Sequence, residues 1–107
     1  MLFDNRREFL RVLYTYAGHP VFSARGAQLR VRDVSERGLS VSLTRELTLA
    51  RGDEVEGILW FPRGDELAVR GHVVRVVEGV AGILLDAPGI PVAIILEEQR
   101  RMAARRR

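Results

Sequence analysis

Two groups of residues have the types and spacing to do chemistry. The first is Arg6-Arg7-Glu8-Phe9-Leu10-Arg11, three arginines within six positions that lead into an apolar run. An arginine fork donates two parallel hydrogen bonds to a phosphate or to the O6/N7 edge of guanine, and its plane stacks on a base. Lysine supplies none of the bidentate part. If this segment is flexible or extended, Arg7 and Arg11 can close on an anion from different sides. A polar N-terminal segment without a ligand accounts for the same residues more plainly.

The second group is Asp33-x-Ser35-x-x-Gly38. A carboxylate at Asp33 can accept from guanine N1–H and N2–H, the donors that arginine cannot meet, and Ser35 can donate or accept beside it. Gly38 lets backbone come close. The same three residues also suit a simple hairpin connection, with Asp33 and Ser35 bonding nearby backbone and Gly38 supplying an unusual dihedral.

Other chemistries are largely excluded. The chain has no cysteine and no lysine, and all seventeen basic residues are arginine. That removes disulfides, thiolate zinc sites, cysteine nucleophiles, Schiff bases and the phosphate-binding Gly-Lys loop. His19 and His72 stand outside metal-ligand spacings, and none of the four serines lies in a GxSxG elbow. His72 shares parity with Arg70 and is expected to face solvent. The pairs Asp53-Glu54, Asp65-Glu66 and Glu97-Glu98 fall at strand starts, turns or a helix face, where solvated surface is the expectation and not an acid/base dyad. The chain is therefore expected to be no enzyme, with no cofactor and no metal.

Charge is unevenly spread. Residues 1–99 hold twelve arginines against fourteen acids, about −2, while Arg100, Arg101, Arg105, Arg106 and Arg107 turn the whole chain to +3. The basic excess belongs to the tail, so a broad basic face for duplex nucleic acid is not expected. At the end of a helix such arginines complement the helix dipole, and a docking or membrane-surface patch is the alternative for residues 100–107. No apolar run approaches the roughly 18 residues of a membrane span. The N-terminus lacks a signal-like layout, so a cytoplasmic location is expected.

These residues must be positioned by a small β fold. The 107 residues suit one domain. Alternation in Gly38-Leu39-Ser40-Val41-Ser42-Leu43, and in Leu29 and Val31 against Arg30 and Arg32, marks half-buried strands around 33–38. Segments 9–16 and 20–24 read as earlier strands. Residues 54–61 and 66–77 follow, and Glu78-Gly79 makes a tight hairpin into 80–86. Parity breaks within 66–77, where Leu67, Val69 and Val73 fit one face but Val74 and Val76 the other, so a bulge is expected near Val74. Pro91 opens a helix over 91–104, with Val92, Ile95, Leu96, Gln99 and Met102 on one stripe and Glu97 paired to Arg101. An all-β fold results, a small antiparallel barrel of about six strands with a C-terminal helix.

Taken together, Arg7-xxx-Arg11 and Asp33-x-Ser35-xx-Gly38 resemble the paired RxxxR and (D/N)xSxxG motifs of PilZ domains, and the resemblance covers nearly the whole chain. It implies a six-stranded antiparallel β-barrel with a C-terminal helix, divided into an arginine-bearing segment 1–11, a barrel over 12–86, the helix and a basic tail at 105–107. It also implies binding of the bacterial second messenger cyclic di-GMP. Arg7 and Arg11 would contact guanine and phosphate, Asp33 and Ser35 a guanine edge, and Gly38 would shape the turn. An arginine at Arg6 is associated in such proteins with an intercalated dimer of the ligand. Ligand binding would order the arginine segment and signal to a separate, unidentified protein effector. Two other functions stay open: a ligand-independent PilZ-like adaptor, and a small RNA-binding barrel. The second usually sets aromatics among basic residues, and here Phe22, Trp60 and Phe61 are not interleaved with arginines.

Overall fold

Short runs of alternating apolar and polar residues build the structure, a computed structural model that describes residues 10–15 and 18–105. Arg6, Arg7, Arg106 and Arg107 lie outside the described residues, as do both ends of the expected strand 9–16. Among the described residues seven strands precede one helix: β1 (Val12–Leu13), β2 (Val21–Ala24), β3 (Ala27–Ser35), β4 (Gly38–Ser42), β5 (Glu54–Trp60), β6 (Glu66–Val77), β7 (Val80–Leu85) and α1 (Val92–Arg105). Hydrogen bonding runs β3-β2-β5-β6-β7-β4 and returns to β3, which closes a six-stranded barrel, and β1 adds a seventh strand on β3. Every pairing is antiparallel. The barrel interior holds Phe22, Leu29, Val31, Leu39, Val41, Leu59, Val73 and Leu85, and α1 seats Ile95 on the same core.

The expected strand over 9–16 is cut to Val12–Leu13 among the described residues. The segment expected as a turn, 33–38, is also mostly strand: β3 runs through Ser35, and only Glu36 and Arg37 turn. Gly38 accordingly has no left-handed backbone; it is the first residue of β4. By contrast the Glu78-Gly79 hairpin is as expected, with φ of 51° and 78°, the two positive angles that a two-residue turn between twisted strands requires.

Two bulges decide which residues face outward. Along β3, Ala27, Leu29 and Val31 point into the barrel, and unbroken alternation would carry Asp33 in after them. A register shift between Val31 and Asp33 resets the parity, so that Val34 takes the inward place opposite Leu39 and Asp33 comes out beside Ser40. Along β6, Val69, Gly71 and Val73 are buried, and the same alternation would bury Arg75. The bulge expected near Val74 is present there, between Val73 and Arg75, and turns Arg75 out opposite Gly82. Val76 moves to the side of Ala81 but stays partly exposed beside the hairpin tip.

The helix shows a different face from the expected one. Ile95, Glu98 and Met102 are buried, whereas Val92, Leu96 and Gln99 are exposed. The reason is Glu98, expected on the solvated face but without any exposure. Its Oε1 accepts from the Tyr14 hydroxyl at 2.6 Å and from Arg101 Nη2 at 2.8 Å, and its Oε2 accepts from Arg101 Nε at 2.9 Å. Arg101 also donates to the Gly18 carbonyl at 2.8 Å and lies 5.9 Å from the centre of the Tyr14 ring. With its lone pairs met in this way the carboxylate can be buried, and the helix rotates to deliver it. Glu97 pairs with Arg100 and Arg63 instead of the expected Arg101.

Candidate ligand-binding groove

The register of the strands lines up the groove. Leu13, Asp33, Ser40, Gly82 and Arg75 stand side by side across β1, β3, β4, β7 and β6. Three strand steps of about 4.8 Å separate Asp33 from Arg75, roughly 14 Å of sheet surface. The neighbouring row is Ser35, Gly38, Leu84 and His72, and His72 is exposed as expected. Ser40 and Gly82 in the middle of the first row and Gly38 in the second are small and leave a shallow floor, with Leu84 at its edge. A groove of about 250 Å³ lies over it, with Arg11 on one side, Arg75 on the other and Arg37 at one end.

Arg11 is held at its wall by two contacts. Its Nη1 donates to Asp33 Oδ1 in an ion pair, and the chain just past β1 is bonded to β3 by the Tyr14 amide donating to the Arg32 carbonyl at 3.0 Å. The guanidinium side chain keeps 51% of its exposure and Asp33 only 16%, so the pair presents arginine to solvent on a carboxylate footing. Ser35 is buried and its Oγ faces the Gly38 carbonyl at 3.5 Å. A Cβ on Gly38 would sit 3.3 Å from the Ile83 carbonyl oxygen and 3.5 Å from that Oγ, so close approach is what glycine provides here.

The turn at Glu36 and Arg37 is tied down from below. The Ile90 amide donates to the Glu36 carbonyl at 2.7 Å, and Arg37 Nε donates to the Leu85 carbonyl at 2.9 Å. Behind β1, burial and the hydrogen bond to Glu98 push the Tyr14 hydroxyl well above the ordinary tyrosine range, so it stays a donor at any neutral pH. Bonding to Glu98 likewise raises Arg101 above the usual arginine value. Among the described residues no cluster of three histidines or acids could hold a metal ion.

Four of the six expected ligand-binding residues are thus brought to one face. Arg11, Ser35 and Gly38 line the groove and Asp33 braces Arg11, while Arg6 and Arg7 lie outside the described residues. Sequence reasoning missed Arg37, Ser40, Arg75, Gly82 and Leu84. The parity break at Val74 was the one available signal, since a bulge there puts Arg75 on the outer surface.

A family model for the PilZ domain matches residues 5–101. The chain belongs to the PilZ family. Its members are binding and adaptor domains, which accords with a groove that carries arginines and small residues, one of the arginines braced by Asp33. The crystal structure of an uncharacterized Legionella protein, Lpg0364, is similar with a TM-score of 0.63 over 92% of this chain and 99% of that one, at 12% identity. At that identity the likeness concerns the PilZ barrel and its helix alone. No curated protein matches the sequence. No helix among the described residues of this PilZ domain is long and apolar enough to cross a membrane.

Proposed function

We propose that this PilZ domain is a cytoplasmic receptor for cyclic di-GMP, without catalytic activity, that acts on a protein partner. The observation that carries the reading is the meeting of Arg11 with Asp33, one residue from each motif and 22 apart in sequence, beside a groove that Ser35 and Gly38 also line. The ligand offers two phosphates and two guanines, and the groove offers matching groups: guanidinium forks for the phosphates and the O6/N7 edges, a carboxylate for N1–H and N2–H, and a glycine where the backbone must approach.

The groove volume of about 250 Å³ lies below the roughly 300–1,000 Å³ of sites that enclose drug-sized ligands. One guanine and its phosphate fill it. In this reading Arg7 supplies the opposite contact as the segment before Leu10 closes over the ligand, and Arg6 favours an intercalated ligand dimer. The ligand then switches a partner surface because it binds the closed arrangement better than the open one.

Calorimetric titration of the purified chain with cyclic di-GMP tests this. Loss of a charged hydrogen bond, worth about 1.5–3 kcal/mol, weakens binding roughly tenfold or more in Arg7→Ala and in Asp33→Ala. Two ligands per chain are expected, falling to one in Arg6→Ala. A folded wild type that takes up no ligand contradicts the reading and leaves a ligand-independent adaptor.

A further inference from the structure

The two motifs furnish one wall of the groove and part of its floor; the opposite wall belongs to neither. Arg75 stands there, turned outward by the β6 bulge at the far end of the row that begins at Asp33. Its side chain folds back over β7 because residue 82 is glycine. A Cβ on Gly82 would lie 3.2 Å from Arg75 Cγ, 3.3 Å from Cζ and 3.4 Å from Nη1. Stem and guanidinium therefore both rest on the bare backbone of β7, pointing toward Ser40 and the groove.

Arg75 differs from the other arginines of the groove in its bonding. Arg11 is paired to Asp33 and Arg37 donates to Leu85, whereas the Arg75 guanidinium makes no hydrogen bond and joins no ion pair among the described residues. Its neighbours in the groove are apolar: Val74 is 37% exposed and Leu84 43%. A bare phosphate gains nothing from such a rim. The flat face of a heterocycle does, since it covers the valine and leucine while the guanidinium plane stacks on it.

We propose that Arg75 is a specificity-determining residue of this groove, its guanidinium laid over Gly82 as a platform on which one guanine of a cyclic dinucleotide stacks. The inference rests on the cyclic di-GMP reading and extends it to a residue outside both motifs. It also makes Gly82 a positioning residue, acting only through where Arg75 lies.

Titration with cyclic di-GMP of Arg75→Ala, Arg75→Lys, Gly82→Ala and the double variant Arg75→Ala/Gly82→Ala tests it, with Arg11→Ala as the motif control. Loss of one stacking contact weakens binding by about tenfold in Arg75→Ala. Arg75→Lys is expected to fall as far, because an ammonium keeps the charge but has no plane. The three atoms nearest a Cβ at Gly82 all belong to the flexible Arg75 side chain, so Gly82→Ala folds normally and binds as weakly as Arg75→Ala, and the double variant is no weaker than either single one. Wild-type affinity in Arg75→Ala, or full rescue by lysine, overturns the platform while leaving the motif site intact. A wild type that binds no cyclic di-GMP removes the underlying reading and the platform with it.

Discussion

Tyr14 and Glu98, 84 residues apart, meet at 2.6 Å, the hydroxyl donating to a carboxylate that has no exposure to solvent. Tyr14 lies three residues after Arg11, so the bond fixes the C-terminal helix to the segment that carries a motif arginine. Arg101 completes the clamp by bonding both Glu98 oxygens and the Gly18 carbonyl.

Removing one member of this clamp leaves a buried group uncompensated. Glu98→Ala should cost about 3–5 kcal/mol, the range for breaking a buried pair from one side. Tyr14→Phe deletes a single hydrogen bond to a charged group, about 1.5–3 kcal/mol, and leaves Arg101 in place. Urea denaturation of the three proteins should rank them wild type, Tyr14→Phe, Glu98→Ala.

The same clamp sets an alkaline limit. The folded Tyr14 hydroxyl holds its proton far above its ordinary value of 10.0, chiefly through burial and then through Glu98. Below that ordinary value both folded and unfolded chains keep the proton, and the stabilisation is complete. Above it the unfolded chain releases the proton while the folded one does not, so stability falls as pH rises, by at most about 1.4 kcal/mol per pH unit. Unfolding measured between pH 9 and 11 should show a steeper loss in the wild type than in Tyr14→Phe.

Binding and stability should separate at the motif pair. Arg11 is half-exposed on Asp33, and an ion pair so placed contributes about 0–1 kcal/mol to folding. Asp33→Ala and Arg11→Ala should therefore melt within a few degrees of the wild type while losing cyclic di-GMP affinity roughly tenfold or more. A stability loss as large as that of Glu98→Ala would assign the pair a structural role.

Two glycines of the barrel should behave in opposite ways. A Cβ on Gly71 would run into the Leu84 carbonyl, which is backbone and cannot yield, whereas the three atoms nearest one on Gly82 all belong to the Arg75 side chain. Gly71→Ala should destabilise at or above the roughly 1–3 kcal/mol of an overpacked site, and Gly82→Ala by much less. Thermal melts of the two variants check the contrast.

The sequence carried the barrel because its strands alternate cleanly and its turns use Gly at positive φ. It carried the β6 bulge because Val73 and Val74 are apolar on opposite parities. The β3 bulge was equally written in Leu29, Val31 and Val34, but it falls among turn-forming residues, where a strand end accounts for the same pattern. Glu98 was illegible for a different reason. A carboxylate among Glu97, Gln99 and Arg100 looks solvated until Tyr14, from the far end of the chain, is seen to satisfy it. Arg75 and Gly82 show the same limit: alternation identifies each strand's outer face, while only pairing between β6 and β7 brings the two together.

The most direct measurement is a ¹⁵N-labelled backbone spectrum of the chain titrated with cyclic di-GMP. Saturable shifts concentrated at Asp33, Ser35, Gly38, Ser40 and Gly82, with Gly26 and Gly64 on distant turns unmoved, are the expected result. A folded spectrum that does not change with ligand, or shifts confined to the opposite side of the barrel around Gly57 and Ala68, would contradict the assignment of this groove as a cyclic di-GMP site.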